Sequence, residues 1–400
     1  VSAVGAHDEA LTGRVVAALE ATGLVVGVAP AAPFTGTRRE LERRKAAGLH
    51  GGMAFTYRNP DRSTDPGRIV AGARSLVVGA LGYGLPPGAG PPVPGAGRDG
   101  AAGTVPGRVA RYAWADFYAE LRSRLATGAD MLRGAGYRAV VVADDNALVD
   151  REAAARAGVG WYGRNANLLL PGRGSWYVLG TVVTDAPLAP SPAARGGCGH
   201  CTRCLPACPT GAIVAPGVLD ARRCLAWLLQ ATGVFPVEFR EALGDRIYGC
   251  DDCQEACPPN RAGAPGAAPA AVPAPAARAG GATGPAAAGR STVDVLDLLA
   301  DDDDAVMAAA GRWYVPERRA RYLRRNALVV LGNRADPHDE RALGAVRRCL
   351  RHADPLVRAH AVWAAARLGR ADLADELDAT EADPMVRAEL RDRHAVRARA

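Results

Sequence analysis

No apolar run in this 400-residue chain is long enough to cross a bilayer, which excludes a helical membrane protein. No basic stretch followed by a short apolar one precedes the first globular segment. The expectation is therefore a reducing, cytoplasmic setting in which disulfides do not persist. No G-x-G-x-x-G follows the first strand-like segment, which counts against a dinucleotide on a Rossmann fold. Lysine is almost absent, so arginine supplies nearly all of the positive charge behind a formal net charge of +7. That sign suits a polyanionic partner. The abundance of Ala, Gly and Pro, however, is what a GC-rich coding sequence produces by itself, so basicity decides nothing. The length suits two or three domains, and 48% hydrophobic residues are enough to bury a core.

What is present is cysteine in a telling order. Cys198, Cys201, Cys204 and Cys208 form a C-x₂-C-x₂-C-x₃-C-P run, and Cys250, Cys253 and Cys257 form a second run one ligand short, which Cys224 completes. This is the spacing of bacterial two-cluster ferredoxins, in which the last cysteine of each run ligates the other cluster. Cluster one is then expected on Cys198, Cys201, Cys204 and Cys257, and cluster two on Cys208, Cys224, Cys250 and Cys253. Structural zinc is the weaker reading, because zinc has no use for the trailing C-P. Disulfides need an oxidising compartment. The ninth cysteine, Cys349, sits in an amphipathic helical segment and reads as a buried core thiol.

Two Pro/Gly/Ala-rich stretches punctuate the chain. Residues 85–107 read as a surface loop, and 259–290 as a mobile linker that cannot bury a core. Before the cysteines, a helix begins near Asp8 with Leu11, Val15, Ala18 and Leu19 on one face. Buried strands are expected at Ser75–Leu81, Ala139–Ala143 and Trp176–Thr184, with helices at 116–135 and 151–157 between them. The alternation predicts an α/β domain over 1–190, followed by a ferredoxin-like domain over 191–260, a linker over 261–290 and a helical tail over 291–400.

In that tail Asp354-Pro-Leu-Val-Arg returns as Asp383-Pro-Met-Val-Arg, and Arg325-Asn-Ala-Leu-Val-Val-Leu-Gly matches the second half of the longer copy. A recurring D-P-x-V-R helix start predicts HEAT-like helical pairs. The segment from Glu317 to Arg325 carries five arginines, with Arg347, Arg348 and Arg351 beyond it. Such a run is either a solvated helix face or a phosphate-tracking face for nucleic acid.

The cysteine runs in full, C-G-H-C-T-R-C-L-P-A-C-P-T-G-A-I, L-D-A-R-R-C-L and R-I-Y-G-C-D-D-C-Q-E-A-C-P, resemble the epoxyqueuosine reductase family. The blocks starting at Gly107, Ala157 and Gly174 are similar to family blocks in the same order, so the resemblance covers nearly the whole chain. It implies a cobalamin-binding α/β domain and two [4Fe-4S] clusters that pass electrons from an external donor of flavodoxin or ferredoxin type to cobalamin. It also implies reduction of epoxyqueuosine to queuosine at the wobble position of tRNA, with the repeat tail helping to dock the anticodon stem-loop of a monomer's tRNA partner. No histidine motif for lower-face cobalt ligation is evident, which fits an unligated cobalt.

Epoxide opening builds charge on oxygen and needs a proton donor. Strand ends in α/β sheets are where ligands sit, and the strand from Arg138 runs out into Asp144. A carboxylic acid desolvated against a large planar cofactor gains the raised pKa a general acid needs, and the family's catalytic aspartate falls on Asp144. The plain alternative is a capping role. Further cofactor contacts implied by the resemblance are Arg58, Asn165, Leu168, Ser175 and Gln230, with Asp251 and Asp252 among the second cluster's ligands; the last two read equally as solvated acids. The chain departs from the family pattern at Asp145 and Asn146, which make the pocket more polar, and at Arg164, where lysine is common. The alternatives are a cobalamin and iron–sulfur reductase of another electrophile, and an iron–sulfur electron-transfer protein that docks a protein partner.

Overall fold

Asp8 starts the first helix by accepting the Leu11 N–H at 2.8 Å, the capping role its short carboxylate suits. Helix Glu9–Glu20 then buries Leu11, Val15 and Leu19 along one face. In this computed structural model, residues 7–83, 104–261 and 291–396 are described. The expected loop at 85–107 as far as residue 103, and the expected linker from 262 to 290, lie outside the described residues. The chain forms two units, each assembled from three separated stretches. The first takes residues 1–90, 116–222 and 251–281, and the second 91–115, 223–250 and 282–400.

The first unit is built on a four-stranded sheet in the order Val25–Pro30, Ser75–Gly82, Tyr177–Thr184, Ala139–Val142. Ser75–Gly82 is buried along its whole length, as a strand covered on both faces must be. Helix Phe117–Gly134 seats on one face at a matched pair of glycines. Gly79 and Gly180 stand opposite each other in register, and a Cβ on either would come within 2.9 or 2.8 Å of Leu125. On the other face Ala153 and Ala154 of helix Asp150–Arg156 join Leu76, Val78, Ala80 and Phe34 in a second apolar cluster. Every strand pair in this sheet is antiparallel. The rule that ligands gather at strand carboxyl ends belongs to parallel sheets, so it does not place Asp144 here.

The second unit holds a three-stranded sheet, Arg246–Tyr248, Pro106–Val109, Thr292–Asp294, with one parallel and one antiparallel pair. Helix Arg321–Arg334 packs on Pro355–Arg367, which packs in turn on Pro384–Asp392. Both D-P starts do the same local work. Asp354 accepts the Leu356 N–H at 2.8 Å and Asp383 the Met385 N–H at 2.9 Å, while proline takes the first helical position, where no N–H is needed. Cys349 is in the apolar core of these helices, and burial pushes its thiol up to about 11.

The arginine run 318–325 divides, with Arg318 and Arg319 exposed and Arg324 and Arg325 buried. Arg318 donates to the carbonyls of Gly311 and Trp313. Arg319 and Arg321 pair with Glu317 at 3.3 and 3.2 Å. Arg324 pairs with Asp303, and Arg325 is fully buried. Farther on, Arg347 pairs with Glu340 at 3.2 Å and Arg351 with Glu376 at 3.0 Å.

Candidate functional site

The cysteine runs fold as tight turns and single-turn helices, because x₂ spacing leaves no room for longer elements. Cys201 N–H closes a turn on the Cys198 carbonyl at 3.0 Å, and Cys204 opens helix Cys204–Ala207. These three thiols and Cys257 line one small cavity, with Arg164, Asn165, Leu169 and Pro258 completing the wall. The Arg164 N–H points at Cys198 Sγ at 3.4 Å, and its guanidinium donates to the Gly199 carbonyl at 2.8 Å. Burial, then the neighbouring thiols, push the Cys257 thiol up to about 11 and raise Cys204 as well. A positively charged iron core is the partner that would hold such thiols as thiolates. Among the described residues no three His, Cys, Asp or Glu side chains converge on a single-ion site.

Of the other four cysteines, Cys208 and Cys253 lie in the first unit and Cys224 and Cys250 in the second. Cys208 Sγ accepts the Ala212 N–H at 3.2 Å, a bond of the kind that tunes cluster potentials. Cys224 precedes helix Leu225–Leu228, and Cys250 follows strand Arg246–Tyr248 through Gly249 at φ 70°.

Asp144 lies two residues beyond strand Ala139–Val142, exposed and left-handed at φ 55°, a conformation uncommon outside glycine that aspartate tolerates better than most residues. The next two residues anchor the loop. Asp145 accepts the Ala147 N–H at 2.8 Å, and Asn146 Oδ1 accepts the N–H of Thr56, itself at φ 65°, at 3.0 Å. That last bond ties the Asp144 loop to the loop that carries Arg58. Asp150, which the sequence reading passed over, has its Oδ1 buried without a hydrogen-bond partner. Burial raises its carboxyl well above the usual range, with Asp144 and Asp145 adding to the rise and Arg151 opposing it.

Ser175 and Asn165 are fastened to the segment that carries Cys253 and Cys257. Ser175 Oγ donates to Gln254 Oε1 at 2.9 Å, Ser175 N–H donates to Asn260 Oδ1 at 2.6 Å, and Asn165 Nδ2 reaches the Cys253 carbonyl at 3.4 Å. Tyr83, deprived of water by burial and with its hydroxyl on Gln254 at 3.4 Å, feels the charge of Asp251, which is itself buried. Asp252 opens helix Asp252–Glu255. Leu168 is a core side chain in the hairpin Trp161–Tyr162/Leu168–Leu169. Gln230 lies in the second unit, where its Nε2 donates to the Tyr112 hydroxyl at 3.2 Å. The glycines of these blocks serve local packing. A Cβ on Gly160 would meet the Leu169 carbonyl at 2.3 Å, and one on Gly174 the Asn260 side chain at 1.9 Å. Gln254 and Asn260 were within reach of sequence reasoning as polar residues inside a cysteine run. Asp150 was not, since an aspartate at a helix start reads as a cap.

The fold and the thiol-lined cavity define an iron–sulfur protein of the two-cluster class, and residues 197–260 match the family model described as a 4Fe-4S double cluster binding domain. The chain belongs to the epoxyqueuosine reductase family. It is 34% identical over 342 residues to the epoxyqueuosine reductase of Xanthomonas campestris, covering 81% of this chain and 86% of that one. Against several other curated relatives the match spans about 60% of their length. Among solved structures, an epoxyqueuosine reductase with an epoxyqueuosine-modified tRNA-Tyr stem loop superposes with a TM-score of 0.82 at 26% identity, covering 97% of this chain and 98% of that one. The Bacillus subtilis enzyme, with its aspartate-bearing catalytic loop swung out of the active site, gives 0.80 at 26% identity, covering 97% and 99%.

Proposed function

We propose that this protein reduces epoxyqueuosine to queuosine at the wobble position of tRNA. The observation that carries the redox chemistry is the cavity ringed by Cys198, Cys201, Cys204 and Cys257. Family membership supplies the substrate, since a relative of nearly the same length has been solved with the modified stem loop. The balance is simple: the epoxide takes up two electrons and two protons, both C–O bonds are lost, the cyclopentene double bond forms, and water leaves.

In this reading Cys198, Cys201, Cys204 and Cys257 hold one [4Fe-4S] cluster and Cys208, Cys224, Cys250 and Cys253 the other. The clusters, when present, supply single electrons drawn from an external flavodoxin- or ferredoxin-type donor. Cobalamin, when bound, supplies the low-potential chemistry that opens the epoxide. The first unit offers features that fit it: an unpartnered buried oxygen on Asp150, an unpartnered Nδ1 on His50 beside Tyr57, and a buried Tyr83–Gln254–Ser175 network. Arg58, Asn165, Leu168 through its backbone, Ser175, Asp251 and Asp252 are the residues assigned to hold it there, with Gln230 from the second unit. Asp144 delivers a proton to the epoxide oxygen from a loop whose backbone is already held in place.

At the departures, Asp145 Oδ1 and Asn146 Oδ1 each accept a backbone N–H, so both side chains help to shape the Asp144 loop. The remaining assignments belong to this proposal too: a cobalamin domain over 1–190, a ferredoxin-like domain over 191–260, a HEAT-like tail over 291–400 that docks the stem-loop, a monomer, and a cytoplasmic setting. No helix among the described residues is long and apolar enough to cross a membrane.

The test is mass spectrometry of wobble nucleosides from a deletion strain. Accumulated epoxyqueuosine is expected, and an unchanged nucleoside profile sinks the proposal. Asp144→Asn is expected to lose turnover by the 10²-fold or more that a general acid contributes, while iron content and cobalamin uptake stay at wild-type levels.

A further inference from the structure

Arg325 has no exposed surface and stands in helix Arg321–Arg334 of the second unit. Its guanidinium donates to the carbonyls of Leu228 at 3.0 Å, Leu229 at 3.2 Å, Ala231 at 2.7 Å and Gly233 at 2.8 Å, and to Asn326 Oδ1 at 2.9 Å. None of these partners is a carboxylate. Burial pushes the group down to about 9, which leaves it charged at neutral pH. Arg240, likewise fully buried, is neutralised by Glu389 at 2.6 and 2.9 Å. Arg325 is thus a buried positive charge with hydrogen bonds but, among the described residues, no counter-ion, a costly arrangement unless something negative is nearby.

The carbonyls it gathers belong to one short segment. Helix Leu225–Leu228 begins at Cys224, whose carbonyl accepts the N–H groups of Trp227 and Leu228 at 3.0 and 2.9 Å. The guanidinium therefore closes the far end of the turn that Cys224 opens, taking carbonyls that start four residues on, ~6 Å along a helix axis. Asn326 extends the same grip. Its Nδ2 donates to the Leu229 carbonyl at 2.9 Å and reaches the Ile247 carbonyl at 3.5 Å, three residues before Cys250. The Arg325-Asn326 pair holds both cysteine-bearing segments of the second unit.

We propose that Arg325 is a positioning residue for the cluster held by Cys224 and Cys250: it fastens the Cys224 segment and supplies an uncompensated positive charge that raises that cluster's reduction potential. A cluster gains negative charge on reduction, so a fixed cation in a low-dielectric surround favours the reduced form. The inference rests on the reading that these cysteines ligate iron. A plain helix cap would give the same hydrogen bonds, but its function would not depend on charge.

The experiment is an EPR-monitored redox titration of anaerobically reconstituted full-length protein, with iron per chain measured on each sample. Wild type is expected to carry about eight irons and show two midpoints. Arg325→Gln should move one midpoint to more negative potential and leave the other in place with iron retained, while Arg325→Lys, which keeps the charge, stays near wild type. Should Arg325→Gln fail to fold, Asn326→Asp sets a carboxylate against the same guanidinium and should give the same negative shift. Unmoved midpoints in an iron-replete Arg325→Gln, or equal shifts in the Lys and Gln variants, overturn the role of the charge. Four irons in wild type would instead overturn the second-cluster reading, and the proposal with it.

Discussion

Asp150 carries a cost that depends on pH. Its carboxyl titrates well above the usual value in the folded chain because burial and the nearby Asp144 oppose its charge. Below pH ~4 it is protonated both folded and unfolded, and nothing is lost. As pH rises past that value the unfolded chain ionises and the folded one does not, so stability falls by about 1.4 kcal/mol per pH unit until the folded pKa is reached. Asp150→Asn removes the titration. It is expected to raise the melting temperature at pH 7 and to converge with wild type near pH 4; parallel curves across that range would show that the buried Oδ1 is not what sets the cost. That Cys198, Cys201, Cys204 and Cys257 come together around one cavity was legible from their spacing alone, because ligand geometry constrains sequence separation directly. Asp150 was hidden, since its neighbours in space come from a loop whose strained backbone leaves no compositional trace beyond Asp144-Asp-Asn.

Elements were legible wherever burial is two-sided. Continuous apolar runs marked Ser75–Gly82, Ala139–Val142 and Tyr177–Thr184 to within a residue or two. Strand Val25–Pro30 was not singled out, since Gly27, Ala29 and Pro30 give it little strand propensity. The antiparallel pairing was invisible as well: helices alternating with strands read alike whether or not each connection reverses the chain. The Gly79–Gly180 groove is a matching case, because its purpose is to leave room for a leucine from an element far away in sequence. Gly180→Ala would press a methyl against Leu125, Leu121 and Ala143 at 2.8–3.1 Å, and overpacking of this kind costs about 1–3 kcal/mol. Adding Leu125→Ala should return part of that loss, a coupling that urea denaturation of the four variants would measure; strict additivity would mean the two sites do not meet.

Across the molecule, the stabilising chemistry is unequal. The helices of the second unit share one large apolar core from Val105 to Leu390, whereas the segment from Cys198 to Cys208 is mostly turns with partly exposed thiols. Removing iron with a chelator in air is therefore expected to expose the 195–208 segment to limited proteolysis while the 321–392 helices stay protected. Equal protection of both regions would show that the turns hold without metal. The arginine-rich tail was misleading at this scale, since a run of like charges reads as surface until Arg324 and Arg325 are seen packed inside.

The ring of four thiols also sets a timetable. Cys198, Cys201 and Cys204 leave the ribosome together, but Cys257 follows about fifty residues later. At ~5–20 residues per second the nascent chain carries an incomplete thiol nest for on the order of 3–10 s. Three clustered cysteines are an attractive trap for stray zinc or copper during that interval. On the proposed ligand set, iron delivery has to wait until synthesis has passed Cys257, and a cell short of iron would be expected to fill this protein with the wrong metal before it fails to make it.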